Sequence, residues 1–306
     1  MTKYLVRRLL QSLLVFAGAL LISFLLMRII PGNAAQLLAG ESATPQEIAA
    51  LEEQLGVNRP IWEQLVYYLR DICRGEFGYS LRRGVPALEL FLSFLPATLE
   101  LAAAALALTV VIALPLGVIS ALRHNKLIDH VCMALSIIGQ SMPTYWIGIL
   151  LILLFAVNLG VLPTSGYGDW THLVMPAFTL AAAHVALLMR MTRSSMLEVL
   201  SQDYIRTARA KGLLNRGVIF RHALKNAMIP SVTILGLQLG NLLGGSIITE
   251  KVFGWPGVGS LIVDSIAYRD YPVIQVAVLA SAVIIVAVNF IADMVYMLLD
   301  PRIAYK

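Results

Sequence analysis

Residues 203–230 read "DYIRTARAKGLLNRGVIFRHALKNAMIP". This is a basic stretch with the marks of folded helices, set inside a chain that is otherwise greasy. Asp203 is a suitable N-cap, and its charge favours a helix amino terminus. A short helix over 204–211 follows, about 12 Å long at 1.5 Å per residue. Arg209 and Lys211 suit the carboxy-terminal dipole, and Gly212 is a natural stop. A second helical piece is expected from Asn215 towards Ala227. An eight-residue helix is marginal alone and must dock on something. Ala208 and Ala210 leave room for close approach, while Arg206 and Arg209 reach outward. A basic loop near anionic lipid head groups is the plainer account; the discrete caps favour a protein-docking helix pair.

The surroundings decide the fold class. The 306 residues are 58% hydrophobic and only 13% charged, with a mean hydropathy of +0.79. A soluble domain carries about 25% charged residues. The chain therefore reads as an all-α integral membrane protein, and its net charge of +5 reports orientation rather than nucleic acid. Cys73 and Cys132 form no disulfide framework. Runs free of Lys, Arg, Asp and Glu cover 9–27, 101–122, 131–168, 170–189, 226–249 and 271–292. About 20 apolar residues make one crossing. Only the third run, of 38 residues, is long enough to hold a hairpin.

Charge parity resolves it. Residues 31–94 carry eight acids and five bases, whereas 190–225 carry eight bases and two acids. Basic loops stay cytoplasmic. One span kinked at Pro143, followed by an outside loop with Pro163 and Gly166, puts 190–225 inside. The expectation is six transmembrane helices in a single domain over 1–306, both termini cytoplasmic, with an external segment at about 31–94 and a cytoplasmic loop at about 190–228. The first run exceeds the 7–15 residues of a signal-peptide core, and Asn33-Ala34-Ala35 is a poor cleavage site. Within 31–94, one helix is expected from Pro45, capped by Ser42 or Thr44 and ending at Gly56. Another runs from about Pro60 to Arg74 and stops at Gly75.

The docking segment resembles the EAA loop of ABC importer permeases, in the branch that moves dipeptides, oligopeptides, glutathione and nickel. "RMTRSSMLEVLSQDYIRTARAKGL" (190–213), "HALKNAMIP" (222–230), "GGSIITEKVFGWPGVGSLIVDSIAYRDYPVIQ" (244–275), "RRLLQSLLVFAGALLISFLLMRIIPGN" (7–33) and the ending "LDPRIAYK" carry the resemblance. The family's Glu-Ala-Ala reads Arg206-Thr207-Ala208 here, with Gly212 kept; its Pro-Gly-Asp reads Pro31-Gly32-Asn33. The resemblance implies that Asp203, Tyr204, Ile205, Arg206, Thr207, Ala208, Arg209, Ala210, Lys211 and Gly212 form a coupling helix seated on a cytoplasmic ATPase. It implies two ATPase subunits holding ATP and magnesium, a second homologous permease in a heterodimer, an extracytoplasmic binding protein, and the inner membrane of a bacterium. The chain itself has no G-x-x-x-x-G-K-[ST] and so no phosphate loop; it is expected to be no enzyme and to bind no cofactor.

Weaker patterns remain. Gly236, Gly240 and Gly244 recur every four residues, which lets another helix approach. Gln238 and Asn241, roughly opposite, either bond between helices or line a pathway, and Asn289 shares a face with Asp293. Trp255, Pro256 and Gly257, with Gly259, suggest a tight external structure that joins 31–94 in receiving the binding protein. His124, His130, His172, His184 and His222 lack zinc spacing, and no metal site is expected; His184 alone is placed to touch substrate or metal. An ion-coupled carrier would need mid-span ionisable groups, and the central thirds of the spans have none. An intramembrane hydrolase would need paired acids or a Ser/His arrangement at depth, and none is evident. Cargo follows from the resemblance: 190–213 resembles dipeptide permeases, while "FLPATLELAAAAL" (94–106), "SMPTYW" and "GYGDW", with a short loop at 160–171, lean towards nickel or metal–chelator permeases. A bare nickel ion would want His, Cys or carboxylate ligands, which the spans scarcely offer, so a peptide-type solute is favoured.

Overall fold

The computed structural model describes residues 2–29, 43–55 and 58–299. Pro31-Gly32-Asn33, Ser42, Gly56, the side chain of Asp293 and the carboxy-terminal tail lie outside the described residues. The elements are helical throughout. They are α1 (Thr2–Ile29), α2 (Pro45–Leu55), α3 (Ile61–Arg74), α4 (Ala87–Leu122), α5 (Leu127–Ser141), α6 (Thr144–Leu151), α7 (Trp170–Leu200), α8 (Asp203–Ala210), α9 (Asn215–Gly217), α10 (Leu224–Val252), α11 (Val258–Ala267) and α12 (Tyr271–Leu299). Among the described residues the extended backbone amounts to one isolated bridge between Tyr79 and Pro86. Helices satisfy their own backbone bonds, which a hydrocarbon environment demands.

Among the described residues four helices are long and apolar enough to cross a membrane: Ala87–Leu122, Trp170–Leu200, Asn215–Gly244 and Tyr271–Ile291. A fifth exists if α5 and the helix after it count as one broken span. The described apolar part of α1, Leu10–Leu25, is shorter than a crossing, although α1 itself runs 28 residues. The kink expected at Pro143 is a bend of 107°. Proline forces the residue before it out of the helical region, and Met142 sits at φ −82°, ψ 132°. Beyond the bend, α6 continues into a π-helical run, Ile152–Asn158. The second cytoplasmic piece also differs from expectation. It does not end near Ala227: α9 passes through a π-helical run, Val218–Ala223, directly into α10.

The chain forms two compact units. The larger holds Pro96–Ser260 and the segment from Ala287. Here α5, α6 and α10 pack against α7. Ala97, Leu101, Ala102 and Ala105 of α4 meet Ala177, Leu180 and Ala181 of α7, with Leu242 and Trp255. A Cβ at Gly117 would lie 2.7 Å from Cβ of Thr192 and 2.8 Å from the Met189 carbonyl oxygen. Small residues thus bring α4 and α7 together, as expected where lipid removes the hydrophobic drive between helices. Of the glycine stripe in α10, Gly240 does this work: a Cβ there would stand 2.8 Å from Oδ1 of Asn289, whereas Gly244 faces open space.

The smaller unit holds Thr2–Leu95 and Leu261–Val286. Its α2 opens as anticipated with Thr44. The Thr44 amide and hydroxyl donate to Oε2 of Glu47 at 2.8 and 2.9 Å, and the Glu47 amide returns a bond to Oγ1 of Thr44 at 3.4 Å. This is a reciprocal capping box. Helix α3 stops at Gly75, whose φ of 75° is left-handed. In the turn that follows, the buried carboxylate of Asp270 accepts from Oγ of Ser80 and from the amides of Leu81 (3.0 Å) and Arg82 (3.5 Å).

The backbone and hydroxyl bonds from Thr44 hold the Glu47 carboxyl below its ordinary value of 4.5. A lowered carboxylate value stabilises the fold above the unfolded value and loses that contribution as pH falls through the folded one. Thr44→Ala is therefore expected to speed amide exchange at 47–50 at neutral pH. The difference from wild type should shrink as pH drops below 4.5; a difference that persists in acid would refute the carboxylate's part.

Candidate functional site

Helix α8 starts one residue earlier than the sequence suggests. Gln202 is the N-cap and makes no side-chain cap bond, so Asp203 is the first helical residue and not the cap. Its carbonyl accepts from Oγ1 of Thr207 at 3.0 Å. Gly212 lies just past the C-cap Lys211 with φ 78°, the left-handed stop its sequence position predicts.

The helix has two faces. Ile205 and Ala208 are buried, and they pack with Ala121 of α4, Met196 of α7, and Val218, Ala223 and Ala227. Tyr204 is held at its rim, where Nδ2 of Asn226 donates to its hydroxyl at 2.8 Å. Asp203, Arg206, Thr207, Arg209, Ala210 and Lys211 are exposed, and the Arg206 side chain is 79% accessible. Its ion pair with Asp203 at 3.7 Å is a solvated one of little energetic weight. The small residue expected to permit a partner's approach, Ala208, instead permits close packing on the subunit's own span ends. The face offered to a partner is cationic.

Directly beside this assembly lies a cluster the sequence reading overlooked. Asp129, 2% exposed, receives Nε and Nη2 of Arg193 at 2.6 and 2.7 Å. It also accepts Oγ of Ser120 at 2.5 Å and the Asn125 amide at 2.9 Å. His124 completes the group, with Nδ1 at 3.3 Å from Asp129 and 3.1 Å from Arg193. The link between α4 and α5 is thereby tied to α7, the helix that leads into α8. The signal available was a lone acid, Asp129, in the short stretch between two apolar runs. Removing one partner of such a buried pair costs about 3–5 kcal/mol.

The segment expected to dock a binding protein is largely internal. Trp255 is 1% exposed. Its Nε1–H donates to the Ala97 carbonyl at 2.8 Å, and its ring meets Tyr167 edge-on at 4.8 Å. A Cβ on Gly257 would overlap the Glu250 carboxylate. Pro256 is half-buried. Trp255 and Gly257 therefore pack within the chain and present little surface to a partner. Glu250, fully buried, is the organising group here: it accepts from Oγ1 of Thr98 (2.8 Å) and the Ser260 amide (3.0 Å), while Thr98 accepts from the Val258 amide (2.8 Å). Sequence reading passed over Glu250 because it abuts an apolar run whose end was the only feature sought.

The named pathway residues are not brought together as a lining. Gln238 is buried, its Nε2 donating to the His184 carbonyl at 3.2 Å, with Oε1 unpaired. Asn241 is exposed, and Asn289 packs against Gly240. Among the described residues no group of three His, Cys, Asp or Glu could hold a metal.

The described residues thus form a helical membrane protein that docks a short basic helix on the ends of its own long helices. Residues 113–305 match the family described as the binding-protein-dependent transport system inner membrane component, and 1–102 match the amino-terminal model of the same systems. The chain belongs to this family. It is 43% identical over its full length to the full-length dipeptide transport system permease protein DppB of Alkalihalophilus pseudofirmus. It is 42% identical, again over the whole of both chains, to the oligopeptide permease AppB of Bacillus subtilis and the glutathione permease GsiC of Salmonella choleraesuis. A solved structure of the inward-facing MetNI methionine ABC transporter shares the fold, with a TM-score of 0.58 at 20% identity, over 70% of this chain and 98% of that one.

Ile205→Ala removes the main anchor of α8. Truncating a buried Ile costs about 2–5 kcal/mol, and an eight-residue helix has little intrinsic stability to offset it. Trypsin cleavage after Arg206 and Arg209 in the membrane-embedded protein is expected to accelerate by at least about tenfold, since each 1.4 kcal/mol is a factor of ten. Cleavage at the wild-type rate would mean that α8 is not held through Ile205.

Proposed function

We propose that this chain is the permease subunit of an ATP-driven ABC importer whose cargo is a di- or oligopeptide-type solute. The full-length similarity to peptide permeases carries this reading. Glutathione, itself a peptide, is the second reading, because a glutathione permease is 42% identical over the whole of both chains. Cargo for the family extends to nickel, for which the described residues offer no ligand cluster.

In this reading six helices cross the inner membrane, α1 being the first and the broken pair at 107° the third. Both termini and α8 lie in the cytoplasm, and 31–94 lies outside. The exposed face of α8, with Arg206, Arg209 and Lys211, sits in an acidic cleft of one of two ATPase subunits, which supply ATP and magnesium. Ile205 and Ala208 fasten the same helix to the ends of α4, α7 and α10, so ATPase closure moves those helices as a body. A carboxylate at Ala208 would act through the subunit's own core, which makes Arg206 and Arg209 the informative positions. A second permease and an extracytoplasmic binding protein complete the assembly. Gln238 acts between helices, and Asn241 and Asn289 are the polar groups left for the route.

The double variant Arg206→Glu, Arg209→Glu is expected to cut substrate-stimulated ATPase of the reconstituted complex by at least about tenfold, the loss of some 1.4 kcal/mol of contact energy. Arg216→Glu, also exposed but outside α8, should leave it intact. Unchanged stimulation in the double variant would refute coupling through this face. Uptake of radiolabelled dipeptide and glutathione should require the chain; accumulation of nickel alone would overturn the peptide reading. Ser80 is too buried to report topology. Glu76→Cys should instead react with an impermeant maleimide from outside intact cells and Asn215→Cys should not.

A further inference from the structure

Helix α3 is unlike every span. None of its residues is buried. Its sequence, IWEQLVYYLRDICR, puts Trp62, Val66, Leu69 and Cys73 at spacings of four, three and four, which is one stripe of a helix. Trp62 is 66% and Val66 60% exposed. Gln64 and Asp71 lie on the opposite side, and Glu63, Arg70 and Arg74 on the flank between. Strong amphipathicity with low net hydrophobicity and a tryptophan on the apolar face is the composition of a helix lying in the plane of a membrane interface.

Two observations say what covers that face. First, Tyr68 fastens α3 to α1: its hydroxyl is 2.8 Å from Oγ of Ser23 and its ring lies 5.5 Å from that of Phe24. Ser23 is six residues from the end of α1 at Ile29, about 9 Å along the axis. The contact is therefore near the level at which α1 leaves the bilayer. Second, the rim carries arginines beside an aromatic ring, with Arg70 also 3.4 Å from the Asp71 carboxylate and Glu63 on the same flank. The guanidiniums of Arg59 and Arg70 each stand 4.9 Å from the centre of the Tyr67 ring, and Nη1 of Arg59 donates to the Tyr67 hydroxyl at 2.8 Å. Arginines beside an interfacial tyrosine are suited to lipid phosphates.

We propose that α3 is an interfacial helix of the outer leaflet, with Trp62, Val66, Leu69 and Cys73 immersed among lipid and Arg59 and Arg70 at the head groups. It would hold the chain on either side of α3 at the membrane surface. The inference rests on α1 being the first span. A peptide cargo is not required for it. Apolar immersion of such helices is about 5–10 Å.

The test uses the assembled transporter in nanodiscs of phosphatidylethanolamine and phosphatidylglycerol, with partner cysteines removed and Cys132→Ser in this chain. A nitroxide on native Cys73, and separately on Val66→Cys with Cys73→Ser, should collide readily with oxygen and rarely with a nickel chelate. A nitroxide on Asp71→Cys, with Cys73→Ser, should show the reverse. Free access of nickel chelate to both stripe positions would overturn the proposal by placing the face in water. Low access of both relaxants there would overturn it in favour of cover by a protein. A label on Leu14→Cys in α1 separates the two readings. Oxygen access at 14 with water access at 73 sinks the interfacial helix alone. Water access at 14 sinks the six-span reading with it.

Discussion

The larger unit rests on the close approach of helices to α7. In lipid, side chains gain little by leaving an apolar solvent for an apolar interior, so helices associate through packing and hydrogen bonds. That places a premium on small residues where backbones meet. Gly117 leaves no room for a methyl group against Thr192 and Met189, and Ala177 and Ala181 face Ala97, Ala102 and Ala105. Across the other side, Oγ of Ser231 in α10 lies 3.0 Å from Oγ1 of Thr192. The same α7 then runs on to the short turn before α8. Whatever displaces α8 therefore acts on the helix against which α5, α6 and α10 are packed.

Buried carboxylates do the pinning at the turns. Asp129 holds the α4–α5 link to α7 through Arg193. Glu250 holds the turn after α10 to α4 through Thr98, and Gly257 and Gly259 make way for it. In the smaller unit Asp270 gathers the amides and hydroxyl of the turn after Gly78. Each is buried, and each has its oxygens met by directed donors, without which burial would be costly. The consequence for function is stiffness. In the coupling role proposed for α8, Ile205 and Ala208 are the joints that tie it to the long helices, and Arg193 ties the α4–α5 link to α7.

Several features were legible before any coordinates. Four of the runs without charge fall on described helices long enough to cross a membrane, and a fifth falls on the bent pair. The left-handed stops at Gly75 and Gly212 and a cap at Ser42 or Thr44 followed from local backbone chemistry, which depends on neighbours a few residues away; the reciprocal bond with Glu47 is added by the structure. The Asp203 cap was a local error of one residue, Gln202 holding the N-cap position. The larger errors came where a residue's partner is distant in sequence. Trp255 looked like an external aromatic because it stands among Gly and Pro, yet Ala97, 158 residues away, claims its indole. Ala208 was rightly read as a site of close approach, but the neighbour is this chain.

The amino-acid sequence by itself determined the class: helices, the number of apolar runs, the basic segment and its stops. Those properties are set by hydrophobic length, charge and single-residue backbone preference, all of them local or additive. Tertiary structure alone decided which face of α8 is free, which acids are buried, and that Gln238 is enclosed while Asn241 is not. Each of these depends on what another helix places opposite the residue, and periodicity carries no record of that partner.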